Sequence, residues 1–338
     1  MRQAIVGHPK YIKKLYVIGN GFDLYHELDT SYLSFGIFLK NSYPLIYEYI
    51  TQYHGISDIT NGIESSGGYL WSEFEFALAD LDYETILEDY SEYLASPGSE
   101  DFRDRDWGAF QIEIEKVIDE ITIKLFAAFH EFILGVKYPN YVDNKRLALE
   151  KDGMYLNFNY TDTLEKIYNI SNTNIRYIHN QASVDSELIL GHGIDPKNFE
   201  IETTKPPENM SSEESERWME MMSDKFDYSF NLGQNQIMTY FSLSHKNTEC
   251  IINENKDFFQ HLKNVNEIFV LGHSLSEIDK PYFNKIFDSV YDDSIWRVTY
   301  HFDEEKLSNE KMLSSIGIKN NLIDHIKMND LSLSKNNG

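Results

Sequence analysis

The sequence predicts an α/β fold, and three observations lead to it. Short apolar segments, rich in β-branched and aromatic residues, are typical of parallel strands that are covered on both faces. The long region between the first two segments has the three- and four-residue apolar spacing of helices instead. Glycines and polar residues follow the ends of several segments, as at the ligand-binding edge of an open parallel sheet. We therefore expect a Rossmann-like parallel sheet with a large helical insertion.

The predicted strands are apolar runs that end at turn-forming or polar residues. They are Leu15–Ile18, Met154–Phe158, Ile175–Ile178, Leu188–Leu190, Glu267–Leu271 and Trp296–Phe302. Because the carboxyl ends of parallel strands lie along one edge of the sheet, the residues that follow them are the first candidates for a binding site.

Residues 36–146 are predicted to form a helical insertion in a single domain that spans residues 1–338. Apolar residues recur at helical spacing from Trp71 to Leu81 and from Trp107 to Phe129, which predicts two long amphipathic helices. The segment 95–106 between them carries Pro, Gly and many charges and is predicted to be an exposed loop. Residues 195–224 are rich in Pro, Glu, Ser and Met and are predicted to form a lid or a surface excursion.

The charge balance restricts the classes of ligand. The 338-residue chain has 30 basic and 55 acidic residues, a net charge of −25. This excess repels nucleic-acid phosphates, so direct nucleic-acid binding is disfavoured, whereas backbone N–H groups could still hold a small anion. Cys250 is the one cysteine, so neither an intramolecular disulfide nor a Cys-based metal site can form. Without a long apolar stretch or a signal-like N-terminus, we expect a cytoplasmic protein that does not enter a membrane.

A glycine turn follows the first predicted strand. The turn and the helix start after it suit a phosphate cradle. However, Leu24 stands where the third glycine of the dinucleotide fingerprint would be, and the Lys-Ser/Thr of a P-loop is absent. The alternative is a tight strand-to-helix turn with Asp23 as a helix cap. The candidate ligand contacts here are Gly19, Asn20, Gly21, Phe22, Asp23 and His26.

Two candidates for the chemistry follow the next two predicted strands. Asn159 comes at the end of one strand, where its amide could hold a sugar hydroxyl or a water molecule. Asp162 and Glu165, just after it, have capping-box spacing, so a structural role is favoured for them. His179 ends the following strand. A lone histidine is usually structural or merely exposed, but a place at the carboxyl end of a strand adds weight to an acid–base role.

Two Gly-His pairs follow later predicted strands. Their candidate ligand contacts are Gly191 and His192 in one segment and Gly272, His273 and Ser274 in the other. Ser274 and Glu277 again have capping-box spacing. A zinc site is an alternative for these histidines, but the sequence has no H-E-x-x-H motif. A serine hydrolase is disfavoured because G-x-S-x-G is absent.

Taken together, these segments resemble a known family. The stretches YVIGNGFDLYHELDTSY, LNFNYTDTLEKIY, IRYIHN, ILGHG and VLGHSLSEIDKPYF are similar, in order, to the motifs of the AbiH-type bacterial abortive-infection proteins, which act against phage. That family in turn remotely resembles sirtuin-like NAD-cleaving domains. The resemblance implies a sirtuin-like fold, with Asn159 and His179 as the catalytic residues and the strand-end glycines around the ligand.

The same resemblance implies an activity. It implies an NAD glycohydrolase in antiviral defence that cleaves NAD, its substrate, at the nicotinamide–ribose bond, with no metal cofactor expected. Asn180 and Glu27 stand where relatives have glycine. Two alternatives stay open: a nucleotide-binding sensor without turnover and a nuclease-type toxin. The helical insertion could support a homo-oligomer, contact a partner defence protein, or be a solvated lobe.

Overall fold

The computed structural model describes residues 13–140, 145–199, 211–215, 217 and 227–333. The chain divides into two compact units. The first consists of Met1–Phe35, His130–Ile189 and Asn247–Gly338, and the second of Gly36–Phe129 and Leu190–Lys246. The helical insertion predicted at 36–146 begins where the second unit begins. The second unit also takes in a later stretch of the chain, and most of the predicted lid or excursion at 195–224 lies outside the described residues.

The described strands form one parallel sheet in the first unit and one small hairpin in the second. They are β1 (Lys13–Ile18), β2 (Ile59–Thr60), β3 (Ile63–Glu64), β4 (Met154–Asn157), β5 (Ile175–Tyr177), β6 (Val265–Leu271), β7 (Ile295–Thr299) and β8 (Ile323–Ile326). The sheet has the order β5-β4-β1-β6-β7-β8, and every neighbouring pair is parallel. The predicted α/β, Rossmann-like class is confirmed.

Strand β1 lies at the centre of the sheet because both of its faces are apolar. On one face, the Tyr16 ring stacks on Tyr155 of β4 at 4.9 Å and on Phe269 of β6 at 5.1 Å between ring centroids. On the other face, Leu15 and Val17 are fully buried in a separate aliphatic cluster. Alternate residues of a strand point to opposite faces, so this one short run contributes to both layers of the core.

Most helices in the described residues are short, and two of them join into one long helix. They are α1 (Asn20–Tyr25), α2 (Tyr32–Ser42), α3 (Pro44–Tyr53), α4 (Phe74–Ala77), α5 (Tyr83–Asp89), α6 (Ala109–Asp119), α7 (Leu125–Leu134), α8 (Thr163–Tyr168), α9 (Tyr228–Leu243), α10 (Thr248–Glu254), α11 (Lys256–Gln260), α12 (Lys280–Phe287) and α13 (Glu304–Ser315). Within the described ranges, every helix is too short or too polar to cross a membrane.

The first of the two predicted long helices is wrong. A 3-10 turn at Trp71–Glu73 and the four-residue α4 replace it. Helix α4 ends at Ala77, and Asp82 caps a separate helix, α5, with its Oδ1 accepting the Thr85 N–H at 3.1 Å. The apolar residues at helical spacing, Trp71, Phe74, Leu78 and Leu81, are nevertheless buried.

The second predicted long helix is confirmed. Helices α6 and α7 are continuous through a π-helical turn at Glu120–Lys124. Within the second unit, α9 packs against α6, and Gly233 lies where a Cβ atom would be 2.3 Å from the Phe110 ring. The absent side chain therefore allows the two helices to approach closely.

One predicted strand is wrong, and one strand of the sheet was not predicted. Residues 188–190 form no strand, and only single hydrogen bonds, such as Ile189 N–H to the His179 carbonyl at 3.1 Å, hold the segment. The edge strand β8 was missed because its sequence, IDHI, is short and half polar. Its pairing with β7 outweighs this weak local preference.

The turn after β1 and the turn after β6 meet backbone to backbone. The N–H of Gly21 donates to the Gly272 carbonyl at 2.7 Å, and the N–H of Gly19 donates to the Leu271 carbonyl at 3.0 Å. Gly272 has φ +65°, and a Cβ atom there would lie 2.2 Å from the Phe22 nitrogen. Both the left-handed backbone and the absence of a side chain are therefore needed.

We expect Gly272→Ala to lower the free energy of unfolding by more than Gly317→Ala. In each variant, forcing alanine into a left-handed backbone conformation destabilises the folded state by about 1–2 kcal/mol. At Gly317 the nearest atom is a ring carbon of Phe287 at 3.2 Å, which can shift, whereas at Gly272 the obstacle is backbone. Denaturant unfolding of both variants measures the difference. Equal losses would show that the contact between the two turns is not tight.

Candidate functional site

The candidate site lies at the carboxyl edge of the sheet in the first unit. Four loops contribute, those that follow β1, β4, β5 and β6. They carry most of the residues predicted from the sequence: Gly19, Asn20, Gly21, Phe22, Asp23, Asn159, His179, Gly272, His273 and Ser274. The strand order explains this grouping, because β4, β1 and β6 are adjacent and β5 pairs with β4.

The ring of Phe158 brings two histidines together. Its centroid is 5.3 Å from that of His179 and 4.5 Å from that of His273, both at nearly perpendicular ring planes. All three residues are buried. Perpendicular packing places a ring edge against a ring face, an arrangement that aromatic pairs favour. The loops after β4, β5 and β6 therefore share one aromatic contact.

Asn159 ties the loop after β4 to the loop after β1. Its Nδ2 donates to the Gly19 carbonyl at 3.1 Å, and its backbone N–H donates to Oδ1 of Asn157 at 3.0 Å. The side chain is almost entirely buried. The amide predicted to carry chemistry is thus held by the glycine turn, next to the two histidine-bearing loops.

Asp23 is a buried carboxylate with one oxygen satisfied and one not. Its side chain is 1% exposed. Its Oδ2 accepts the Thr161 hydroxyl at 2.5 Å, and the Thr163 hydroxyl lies 2.9 Å from that of Thr161. Its Oδ1 has no hydrogen-bond partner among the described residues. Because unpaired buried charge is costly, this oxygen is a candidate ligand contact.

The same burial raises the pKa of Asp23 to about 6. The hydroxyls of Thr161 and Thr163 and the amide of Asn159 favour the ionised form, but they offset burial only partly, and the charge of Asp162 adds to the rise. At neutral pH the carboxylate is therefore largely ionised, although its burial disfavours the charged form.

His26 is held inside the protein at both ring nitrogens. Nδ1 lies 2.7 Å from the Phe22 carbonyl and Nε2 lies 2.7 Å from the Tyr168 hydroxyl. A carbonyl can only accept, so Nδ1 carries the proton and Nε2 accepts from Tyr168. Burial lowers the pKa of His26 to about 4, so the ring is neutral near pH 7. This geometry makes His26 a brace between α1 and α8, and its predicted ligand contact stays a prediction.

The glycine turn has committed most of its amide donors. The N–H groups of Gly19 and Gly21 bond to the β6 turn, and that of Phe22 bonds to the Gly19 carbonyl at 2.9 Å. Each N–H has one proton to donate. The side chain of Asn20, although exposed, bonds to Thr30 through both its amide groups. The turn is therefore built first for contact with the neighbouring turn.

The capping-box spacing of Ser274 and Glu277 predicts a helix that begins at Ser274, but the loop after β6 begins no helix there. Helix α12 begins at Lys280, and Ser274 is exposed in the preceding loop. His273 orders this loop, because its Nδ1 accepts the Leu275 N–H at 2.9 Å and its Nε2 lies 3.6 Å from a carboxylate oxygen of Asp279. Leu275 has φ +54°, an uncommon conformation for leucine.

The capping box predicted for Asp162 and Glu165 lies at the start of α8 as expected, but the Asp162 side chain makes no capping hydrogen bond. Asp162 is the N-cap residue of α8, yet its side chain accepts the Tyr138 hydroxyl at 2.6 Å and pairs with Lys166 at 3.1 Å. Glu165 instead accepts the Tyr177 hydroxyl at 2.6 Å. Both carboxylates therefore serve side-chain contacts around the start of α8.

Gly191 and His192 belong to the second unit. The N–H of His192 donates to the Ser244 carbonyl at 2.9 Å, and a Cβ atom on Gly191 would lie 2.1 Å from the same carbonyl. His192 is fully buried, and burial lowers its pKa to about 4. Their predicted role as ligand contacts stays a prediction.

The two departures from glycine, Glu27 and Asn180, both have left-handed backbone. Their φ angles are +63° and +67°. Asparagine tolerates this conformation better than other side chains, whereas glutamate does not. The Glu27 carboxylate pairs with Lys145 at 2.5 Å on the surface. The backbone that glycine would favour is thus kept at both positions.

A cavity of about 840 Å³ lies in the second unit, away from the residues above in the sequence. Four carboxylates line it, from Glu73, Asp80, Asp82 and Glu84, and no Lys or Arg is among its lining residues. Such a lining repels a pyrophosphate. Volume alone therefore does not make this cavity the better site for a nucleotide.

Comparison with known proteins identifies the family. The profile described as bacteriophage abortive infection AbiH matches residues 15–300, which include all four loops of the site. The chain belongs to the AbiH family. Membership in AbiH assigns it a role in abortive infection against bacteriophage. Among curated proteins and among solved structures, nothing matches the chain.

The hydroxyl partner of Asp23 in this AbiH chain, Thr161, was not predicted from the sequence. Asn157, Asn159, Thr161 and Thr163 are all buried polar residues of one stretch, each two positions after the last. The run begins at Asn157, the last residue of β4, and continues through the loop to Thr163, so it marks a cluster of buried polar side chains past the strand end. That pattern could have identified Thr161 as the partner of a group on the neighbouring β1 turn.

We expect Asp23→Asn to raise the free energy of unfolding at pH 8 by up to about 3 kcal/mol. The folded-state pKa of about 6 exceeds the ordinary value of 3.8. Ionisation of Asp23 therefore destabilises the wild type as pH rises through this window, whereas asparagine has no charge. The gain should shrink as pH falls towards about 4, which unfolding curves at several pH values measure. A gain that does not depend on pH would contradict a strained carboxylate.

We expect Tyr168→Phe to destabilise the protein by about 2 kcal/mol or more, because it leaves His26 Nε2 and the Leu147 N–H without their buried partner. Tyr25→Phe is the matched control. It removes an exposed bond to Asn329 and should change stability by less than about 0.5 kcal/mol. Equal effects in denaturant unfolding would contradict the role of His26 as a brace.

Proposed function

We propose that this AbiH-family protein is an NAD glycohydrolase, which hydrolyses NAD between nicotinamide and ribose. Loss of NAD would then stop the growth of an infected cell, in keeping with abortive infection. The observation that carries the proposal is the meeting of Asn159, His179 and His273 around Phe158 and the Gly19 carbonyl. Polar groups from separate strand ends converge there, where open parallel sheets bind nucleotides.

This reaction suits a site with few catalytic groups. Nicotinamide leaves NAD as a neutral molecule when the bond to the ribose carbon breaks, so no acid has to protonate it. Water supplies the new carbon–oxygen bond and releases a proton. The protein must orient the ribose, stabilise the positive charge that develops on it, and admit one water molecule.

We assign these tasks to the buried polar groups of the site. Asn159 holds the ribose or the attacking water, and its bond to Gly19 fixes its amide. His179 accepts the proton of that water or contacts a ribose hydroxyl. Asp23 lies beside Asn159, where a negative charge favours the positively charged transition state.

The pyrophosphate and adenosine would lie along the turns after β1 and β6. The exposed Asn20 and Ser274 face solvent on these turns, whereas Gly272 and His273 bring the two turns together. In this proposal the glycines act mainly by allowing the two turns to approach, and only secondarily as amide donors.

Purified protein should release nicotinamide from NAD, alone or when phage components are added. Asn159→Ala and His179→Ala should each lower the rate by about 100-fold or more, as is typical when an acid–base or positioning group is lost. His261→Ala removes an exposed histidine and should keep the wild-type rate. Thermal melting establishes that each variant is folded.

The outcomes separate the alternatives. Turnover that survives both substitutions would reject the assigned residues. Binding of NAD without turnover under every trigger would favour a sensor. Nicking of plasmid or tRNA by the wild-type protein, without NAD cleavage, would favour a nuclease-type toxin.

A further inference from the structure

The second carboxylate oxygen of Asp23, Oδ1, is a buried polar atom at the edge of the sheet that has no hydrogen-bond partner among the described residues. The mechanism above uses Asp23 only as a nearby charge. Yet its Oδ1 is buried, and no described residue donates to it. Buried carboxylates normally accept several hydrogen bonds, so a missing donor calls for a specific explanation.

The neighbouring contacts fix the direction of this oxygen. The carboxylate is anchored at Oδ2 by the Thr161 hydroxyl at 2.5 Å, and Thr163 supports that hydroxyl from 2.9 Å. When Asp23 is ionised it can only accept, so Thr161 donates to it and Thr163 in turn donates to Thr161. Two successive hydroxyls therefore hold the carboxylate in one orientation, in which Oδ1 has no donor among the described residues.

Helix α1 leads from the exposed turn after β1 to this buried carboxylate. Asn20 is exposed, Gly21 is half-buried, and Asp23 lies three residues after Asn20 on the same face of the helix. The amide of Asn159, which is proposed to hold the ribose, is near enough to favour the ionised form of Asp23. A sugar oriented by Asn159 would thus come within reach of the Asp23 carboxylate.

The chemistry of Oδ1 selects its partner. A carboxylate oxygen repels phosphate and accepts hydrogen bonds strongly from hydroxyl groups. We propose that Oδ1 of Asp23 accepts a hydrogen bond from a hydroxyl of the nicotinamide ribose, which makes Asp23 a residue that recognises the sugar. This inference rests on the proposed function, since it assumes that the nucleotide binds at this edge.

Binding measurements with NAD and with two analogues test the assignment. The analogues lack the 2′- or the 3′-hydroxyl of the nicotinamide ribose. Wild-type protein should bind one of them about 10-fold more weakly than NAD, which corresponds to about 1.4 kcal/mol. Asp23→Ala should bind NAD and that analogue equally, because the acceptor is gone. Calorimetry gives each dissociation constant, and the ratio within one variant does not depend on its overall affinity.

Asp23→Asn provides a second variant in case alanine unfolds the site. It keeps a neutral acceptor of the same shape, so its preference for NAD over the analogue should be weaker than in the wild type but still present. Asp292→Asn, which removes an exposed carboxylate elsewhere in the first unit, is the matched control and should keep the full wild-type preference.

The outcomes distinguish a failure of the role of Asp23 from a failure of the proposed function. If the wild type binds NAD and Asp23→Ala keeps the same preference for NAD over the analogue, the role of Asp23 is overturned and the proposed function stays intact. Wild type without any preference for the hydroxyls has the same meaning. Wild type that neither binds nor cleaves NAD overturns both. Loss of the preference in Asp23→Ala alone supports the hydrogen bond.

Discussion

The contact between the turn after β1 and the turn after β6 is the constraint on which the rest of the site depends. Two hydrogen bonds join them, and each requires the backbones to approach more closely than side chains would allow. Because α1 starts inside this contact, its direction is set by β6. That direction decides that Phe22 enters the core and that Asp23 lies beside the loop after β4.

A buried charge is the consequence of this arrangement. Asp23 sits where no described group satisfies its second oxygen, and burial keeps its pKa near 6. A protein selected for stability alone would place a neutral side chain here. Strain of this kind is common at functional sites, where activity and stability make different demands. By contrast, His26, which is equally buried, has a partner at each nitrogen and serves the fold.

The elements predicted correctly share a strong local pattern. Strands β1 and β6 are apolar runs ended by glycine, and the α6–α7 helix repeats apolar residues over many turns. The failures have weaker patterns. Residues 188–190 are apolar but find no neighbour in the sheet, whereas β8 is half polar and is kept by its pairing with β7. From Trp71 to Leu81, the helical spacing predicted correctly which residues are buried, but it predicted a longer helix than the four-residue α4.

For the candidate site, the sequence by itself indicated which loops lie at the carboxyl edge of the sheet. Glycine, asparagine and histidine at strand ends indicate positions at the edge of a parallel sheet, and the order of the motifs indicates the family. Only the tertiary structure decided what each residue does. It showed that the glycine turn forms a contact between two backbones, and it revealed the unpaired, buried Oδ1 of Asp23. The physical reason is that a hydrogen bond depends on which donors and acceptors meet. The partner of Asp23 lies 138 residues away, at Thr161, beyond the reach of any local pattern.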